Sequence, residues 1–173
     1  DNSLRELNYQ AEVAEILRAD VINIHAGAAY GDKRQSLERL KRNLGRLPDR
    51  VRARLTLEND DRTYTPKDLL PLCRSEGVPL VYDVHHHRCN HDSLTVLEAT
   101  EATLGVWNRT PVFHLSSPKA GWDGPKPERH HDFIDPEDFP EEWRNLRVTI
   151  DIEAKAKEKA VLALKAYLER FRK

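Results

Sequence analysis

Val81-Tyr82-Asp83-Val84-His85-His86-His87 sets the end of an apolar run against a carboxylate and three imidazoles. The run begins at Val78 and breaks off at Asp83, as a buried strand does when its C-terminal end delivers side chains to a site. Asp83 offers a hard oxygen and the histidines offer borderline nitrogens, a mixture suited to Zn²⁺, Mn²⁺ or Fe²⁺. A polar loop that merely opens with three histidines would look the same over so short a stretch. Periodicity does not rank His85, His86 and His87, so the rest of the chain has to decide.

The same unit recurs on both sides. Upstream, residues 3–18 carry Leu4, Leu7, Ala11, Ala14 and Leu17 at helical spacing, opened by Ser3 and Glu6 in capping-box register. Val21 to Ile24 reads as a strand ending at His25. A glycine-containing loop over 26–32 leads to a helix bearing Leu37, Leu40, Leu44 and Leu47, stopped by Pro48. Val51 to Leu57 reads as a strand ending at Glu58. Thr65 caps the next helix, with Pro66 at its first position and Gly77 at its end. Downstream of Asp83, a helix is expected over about Ser93 to Leu104. A short strand, Pro111 to Phe113, ends at His114. A last strand, Arg147 to Ile152, ends at Glu153, and a final helix runs from about Ala154 to Phe171. Residues 116–145 are broken by Pro118, Pro125, Pro127, Pro136 and Pro140. They read as a long loop with one helical turn after Asp135-Pro136, and such loops are usually functional.

Apolar strands alternating with helices imply one α/β domain over residues 1–173, built on a parallel sheet. The candidates are an open doubly wound sheet and part of a TIM (β/α)8-type barrel. His25, Glu58, Asp83, His114 and Glu153 each stand where a strand ends, at spacings of roughly one βα unit of about 30 residues. Five such ends converge on one site in a barrel and fan out in an open sheet, so the pattern favours the barrel. Five strands cannot close eight, and bare edge strands are a liability. The chain is therefore expected to supply about five C-terminal βα units, the others lying before Asp1. The absence of Met and a start at Asp1 agree with that expectation.

Hydrophobic content of 39% and charged content of 33% describe a globular composition, and no apolar run approaches membrane-spanning length. Cys73 and Cys89 form no framework and no zinc motif, which suggests a reducing, cytoplasmic setting. A net charge of −1 weighs against a polyanion partner, but only weakly, because bound cations would attract phosphate themselves.

Taken together, Ile24-His25-Ala26-Gly27-Ala28-Ala29-Tyr30-Gly31-Asp32-Lys33, Leu57-Glu58-Asn59-Asp60, Asp83-Val84-His85-His86, Phe113-His114-Leu115-Ser116-Ser117-Pro118 and Ile152-Glu153-Ala154-Lys155 resemble the UV damage endonuclease family. The resemblance implies a barrel related to endonuclease IV that binds up to three divalent metals, typically Mn²⁺, with Zn²⁺ or Mg²⁺ as alternatives. It implies nicking of damaged double-stranded DNA on the 5′ side of UV photoproducts, in a cytoplasmic, nucleoid-associated role. Carried over by motif, His25, Glu58, Asp83, His86, His114 and Glu153 are implied metal ligands, and the D-x-x-H spacing is what selects His86. His130-His131-Asp132-Phe133-Ile134 resembles the family's H-x-D-aromatic-Ile stretch and adds His130; Glu128 would match the first ligand of a D-x-H motif in endonuclease IV. The family commonly has a lysine two residues before the His114 position, where Val112 stands here. Its first half brings two further histidine ligands and the residues that wedge into the duplex, and neither set lies in this chain.

Phosphodiester hydrolysis brings an anionic nucleophile to an anionic phosphorus, which closely spaced metals make possible. Glu58 and Glu153 are the expected catalytic carboxylates, bridging or bordering the metals and positioning water, with His86, His114 and His130 around them. Lys33, Arg34, Arg88, Lys119, Lys126 and Arg129 are candidate phosphate contacts on the same face, and Ser117 a candidate donor; no role is expected for Arg170, Arg172 and Lys173. A metal-dependent sugar isomerase or epimerase on a related barrel would share the strand-end ligands. A non-catalytic metal-binding fragment is the third reading.

Overall fold

A computed structural model describes residues 2–170. The chain opens with helix α1 (Asn2–Leu17), then strand β1 (Ile22–His25), α2 (Lys33–Leu44), the single turn α3 (Asp49–Arg52) and β2 (Leu55–Glu58). After these come α4 (Pro66–Glu76), β3 (Leu80–Asp83), the short α5 (Val84–Cys89), α6 (Val96–Leu104) and β4 (Val112–Leu115). Two 3₁₀ turns, Pro136–Asp138 and Glu141–Trp143, precede β5 (Thr149–Ile152) and α7 (Glu158–Arg170). No helix among the described residues is long and apolar enough to cross a membrane.

The five strands form one parallel sheet in the order β1-β2-β3-β4-β5. A doubly wound sheet reverses its order at a switch point, and this one does not. With each strand beside its successor, crossovers of one hand place the helices on one face of the sheet. That face carries Leu55, Leu57, Leu80, Tyr82, Phe113 and Leu115, all fully buried. They pack in two clusters, one with Leu69, Leu70 and Cys73 of α4, the other with Phe139, Trp143 and Leu164. Side chains alternate across a strand, so Thr56, Glu58, Val81, Asp83, His114 and Asp151 fall on the opposite face. The strand ends named from the sequence thus share one face as well as one end. Among the described residues β1 and β5 are the edges of an open sheet.

Local chemistry sets most boundaries. Thr65 with Asp68, and Thr95 with Glu98, form capping boxes for α4 and α6, and Gly77 ends α4 in the left-handed region at φ 64°. The turn expected after Asp135-Pro136 is present, with Asp135 capping it. Besides α2 ending at Leu44, short of Leu47, β4 running from Val112 to Leu115 and β5 starting at Thr149 rather than Arg147, three expectations need correction. Val51 is not the start of β2: Pro48 opens the α3 turn, Val51 packs into the core from it, and the strand begins at Leu55. The final helix begins at Glu158, because the Lys155 and Ala156 amides bond the carbonyls of His131 and Asp132 and Lys157 turns at φ 51°. Third, α6 starts at Val96, one residue after its cap, so Ser93 lies outside it. The expected helical positions at Phe171, Arg172 and Lys173 lie outside the described residues.

Candidate metal centre

Register assembles the centre. His25 sits beside Glu58 across β1 and β2, and Asp83, His114 and Asp151 stand side by side across β3, β4 and β5. Two groups of donor atoms lie within 4.8 Å of one another, His25–Glu58–His86 and Glu58–Asp83–His114, with Glu58 in both. Ions held at about 2.0–2.2 Å from each ligand require donors that close. His114 Nδ1 lies 3.3 Å from Glu58 and 3.2 Å from Glu153, and His86 Nδ1 lies 3.3 Å from both Glu58 and Asp83. His130 Nδ1 approaches Glu153 at 3.7 Å, and His25 Nε2 approaches Glu58 at 3.9 Å. All seven residues implied as ligands are therefore brought together.

Asp83 shows why the sequence ends its strand on a carboxylate. Its Oδ1 accepts the His86 amide at 2.8 Å and caps α5, the turn that lifts His86 over the centre. Its Oδ2 is fully buried and has no hydrogen-bond partner, nor does His114 Nδ1. An unsatisfied buried charged oxygen costs several kcal/mol, about the desolvation penalty of one ion. Both atoms now make only ion-pair contacts, Asp83 Oδ2 with His86 and His114 Nδ1 with Glu58 and Glu153 at 3.2–3.3 Å, and a divalent cation would supply the coordination they lack, so the donor set fits a metal. His86 Nδ1 also lies 3.1 Å from the Asn59 carbonyl, the kind of contact that orients a ligating imidazole.

Without a cation the charges compensate each other. Burial works against ionisation of Glu58, but contacts with His114 and His86 outweigh it and hold the carboxyl well below its usual range. Burial likewise opposes protonation of both imidazoles, yet the surrounding carboxylates prevail and raise His86 to about 9 and His114 to about 10. Glu153 is lowered, chiefly by His114. Asp83 is raised by its complete burial. Uptake of a divalent ion at pH 7 is therefore expected to displace protons from His86 and His114. The expected affinity rises with pH by about tenfold per unit for each proton displaced, up to the range of 9 to 10. Calorimetric titration with Mn²⁺ in buffers of differing ionisation enthalpy measures the protons released; none released at pH 7 would contradict this charge arrangement.

His85 and His87 lie outside both donor groups. His87 is buried between the Tyr82 hydroxyl at 2.7 Å and Asp92 at 3.1 Å, and His85 is buried with Nδ1 3.2 Å from the Ser116 carbonyl. Glu128 faces Arg62 at 3.9 Å. Of the candidate DNA contacts, Lys119 lines a cleft of about 1010 Å³ together with Arg129, His130 and Glu153. Lys33 pairs with Asp68 at 2.8 Å, and Arg34 lies in a groove along α2 with Glu38 and Arg42. Arg88 donates to the Asp138 carbonyl, and Ser117 Oγ accepts the Asp135 amide. Sequence reasoning missed three neighbours of the site. Asn23 donates to Glu58, Asn59 exchanges hydrogen bonds with the Asp83 backbone, and Asp151 lies 3.8 Å from His114 Nε2. Asn23 and Asp151 each sit two residues before a named strand-end residue. A polar residue at that spacing in an apolar strand was the available signal.

The model of the UV-endonuclease UvdE family matches residues 1–173. A UV DNA damage endonuclease of Bacillus velezensis is 38% identical over 94% of this chain and 54% of its own length. One from Bacillus pumilus is 39% identical over 69% of this chain and 40% of its own. The crystal structure of SacUVDE superimposes with a TM-score of 0.88 at 29% identity, covering 99% of this chain and 59% of that one. A 3-keto-D-glucoside 4-epimerase from E. coli, 14% identical with a TM-score of 0.66, shares the fold. The chain spans about half the length of the curated relatives it matches. With its strand-end histidines and carboxylates gathered around Glu58, the chain belongs to the UV-endonuclease UvdE family.

Proposed function

We propose that this chain carries the metal-binding half of a DNA repair endonuclease that nicks damaged duplex DNA on the 5′ side of UV photoproducts. The observation that carries the reading is the pair of donor groups sharing Glu58, with buried orphan atoms on Asp83 and His114. His25, Glu58, Asp83, His86, His114, His130 and Glu153 would hold the ions, Mn²⁺ being the family's usual choice. When bound, such ions acidify water and offset the negative charge of a phosphodiester. Glu58 belongs to both donor groups, with Oε1 facing His86 and His114 and Oε2 facing His25, and its low proton affinity keeps both oxygens as acceptors. Glu153 is less buried, ionised, and faces the cleft, where it can orient the attacking water towards phosphorus. Asp83, fully enclosed, anchors rather than reacts. Lys119 and Arg129 lie where a phosphate backbone entering the cleft would meet positive charge. Lys33, Arg34, Arg88 and Ser117 complete the proposed DNA contacts, although Ser117 is buried and Lys33 and Arg88 already pair with Asp68 and Asp138. We further infer that β1 to β5 are one arc of a (β/α)8 barrel. Unreversed strand order and the exposed edge strands support this.

The test is a nicking assay on UV-irradiated and undamaged plasmid with Mn²⁺, run with this chain and with a relative of full family length. Damage-dependent nicking by both supports the reading outright. Nicking by the longer protein alone assigns metal binding, without catalysis, to this half. Failure of the chain to bind Mn²⁺ would sink the proposal.

A further inference from the structure

The loop over 116–145 is a folded-back ribbon. Pro118 and His130 bridge in antiparallel fashion, the Lys119 amide bonds the Arg129 carbonyl at 2.6 Å, and the His131 amide bonds the Ser117 carbonyl at 2.8 Å. The ribbon delivers His130 to Glu153, and its tip carries Trp122. That indole turns back onto α5. Its ring centroid lies 5.1 Å from that of His85 and 5.7 Å from the Arg88 guanidinium, and its N–H donates to Asp138 Oδ1 at 2.7 Å. Arg88 in turn donates to the Asp138 carbonyl at 2.8 Å. His85 also has the His130 ring at 5.3 Å and the His86 ring at 6.2 Å. His85 is thus a buried wall touched by the tip of the ribbon and by the imidazole the ribbon carries. Gly124 permits the reversal, because a Cβ there would meet the Ala120 carbonyl oxygen at 2.2 Å.

We propose that Trp122 is a positioning residue: clamped by His85, Arg88 and Asp138, it latches the ribbon to α5 and so sets His130 beside Glu153. The inference rests on the metal reading above, and it assigns a role to a side chain that holds no ion itself. A latch of this kind acts as outer-shell partners do, whose loss costs about 10–100-fold in metal affinity. The indole is only partly buried, so its removal leaves both apolar cores intact.

The experiment titrates Co²⁺ into the chain and into Trp122→Ala, Trp122→Phe, His130→Ala and the Trp122→Ala/His130→Ala double variant, following the visible absorption of the bound ion. Trp122→Ala should weaken the site that includes His130 by about 10–100-fold. The double variant should bind no worse than His130→Ala, since the latch acts through that imidazole. Trp122→Phe should fall between wild type and Trp122→Ala, keeping the ring and losing the bond to Asp138. Amide exchange of Lys119 and His131, measured without metal, should quicken in Trp122→Ala. Wild-type binding and wild-type exchange in Trp122→Ala would overturn the latch, as would additive losses in the double variant. Absence of Co²⁺ binding by the wild-type chain would overturn the metal reading, and the exchange rates would still decide whether Trp122 holds the ribbon.

Discussion

Glu58→Gln is expected to lower divalent-metal affinity by more than about 100-fold, because loss of an outer-shell partner alone costs 10–100-fold and Glu58 belongs to both donor groups. Glutamine keeps the shape and one acceptor oxygen but removes the charge that two imidazoles share. The substitution therefore has a second signature. His114 and His86, held near 10 and 9 in part by this carboxylate, should titrate closer to their ordinary 6.5 in the metal-free variant. The sign of the stability change follows. A raised imidazole contributes stability that is full below 6.5 and is lost as pH rises through 9 to 10. The metal-free wild type should lose stability across that interval, and Glu58→Gln should lose less of it. Mn²⁺ calorimetry and NMR titration of the imidazole protons read the two effects separately. Undiminished Mn²⁺ affinity would remove Glu58 from the centre.

The second large effect separates three residues that neighbour one another in sequence. Asp83→Ala and His86→Ala should abolish tight metal binding, and His87→Ala should leave it in place. Asp83→Ala removes the buried Oδ2 and also uncaps α5, at about 1 kcal/mol for the cap. His86→Ala removes the imidazole between Asp83 and Glu58. His87→Ala breaks the Tyr82–His87–Asp92 chain and leaves the Tyr82 hydroxyl buried without its partner, a cost of about 1–3 kcal/mol in stability. Metal stoichiometry and a denaturation midpoint for each variant make the comparison. Equal loss of metal in all three would mean that the histidine run binds as a simple tract.

Much of the fold was legible because its determinants are local. Thr65, Pro66 and Gly77 act within one helix, and the apolar runs that become β2 and β3 need no distant partner to be recognised. One boundary failed because a distant contact intervened. The start of α7 is displaced by hydrogen bonds from Lys155 and Ala156 to the carbonyls of His131 and Asp132 in the preceding loop.

The sequence by itself determined that strands end in ligand-type residues, through the abrupt change from apolar to polar at His25, Glu58, Asp83, His114 and Glu153. Only the tertiary structure decided which side chains meet. Sharing a site depends on register and on face, and one residue of register exchanges every side chain between helix face and open face. The pairing of Asp83 with His114 and of His114 with Asp151 is such a choice. So is the capping of α5 by Asp83, which turns one imidazole of three towards Glu58 and encloses the other two among Tyr82, Asp92, Ser116 and Trp122.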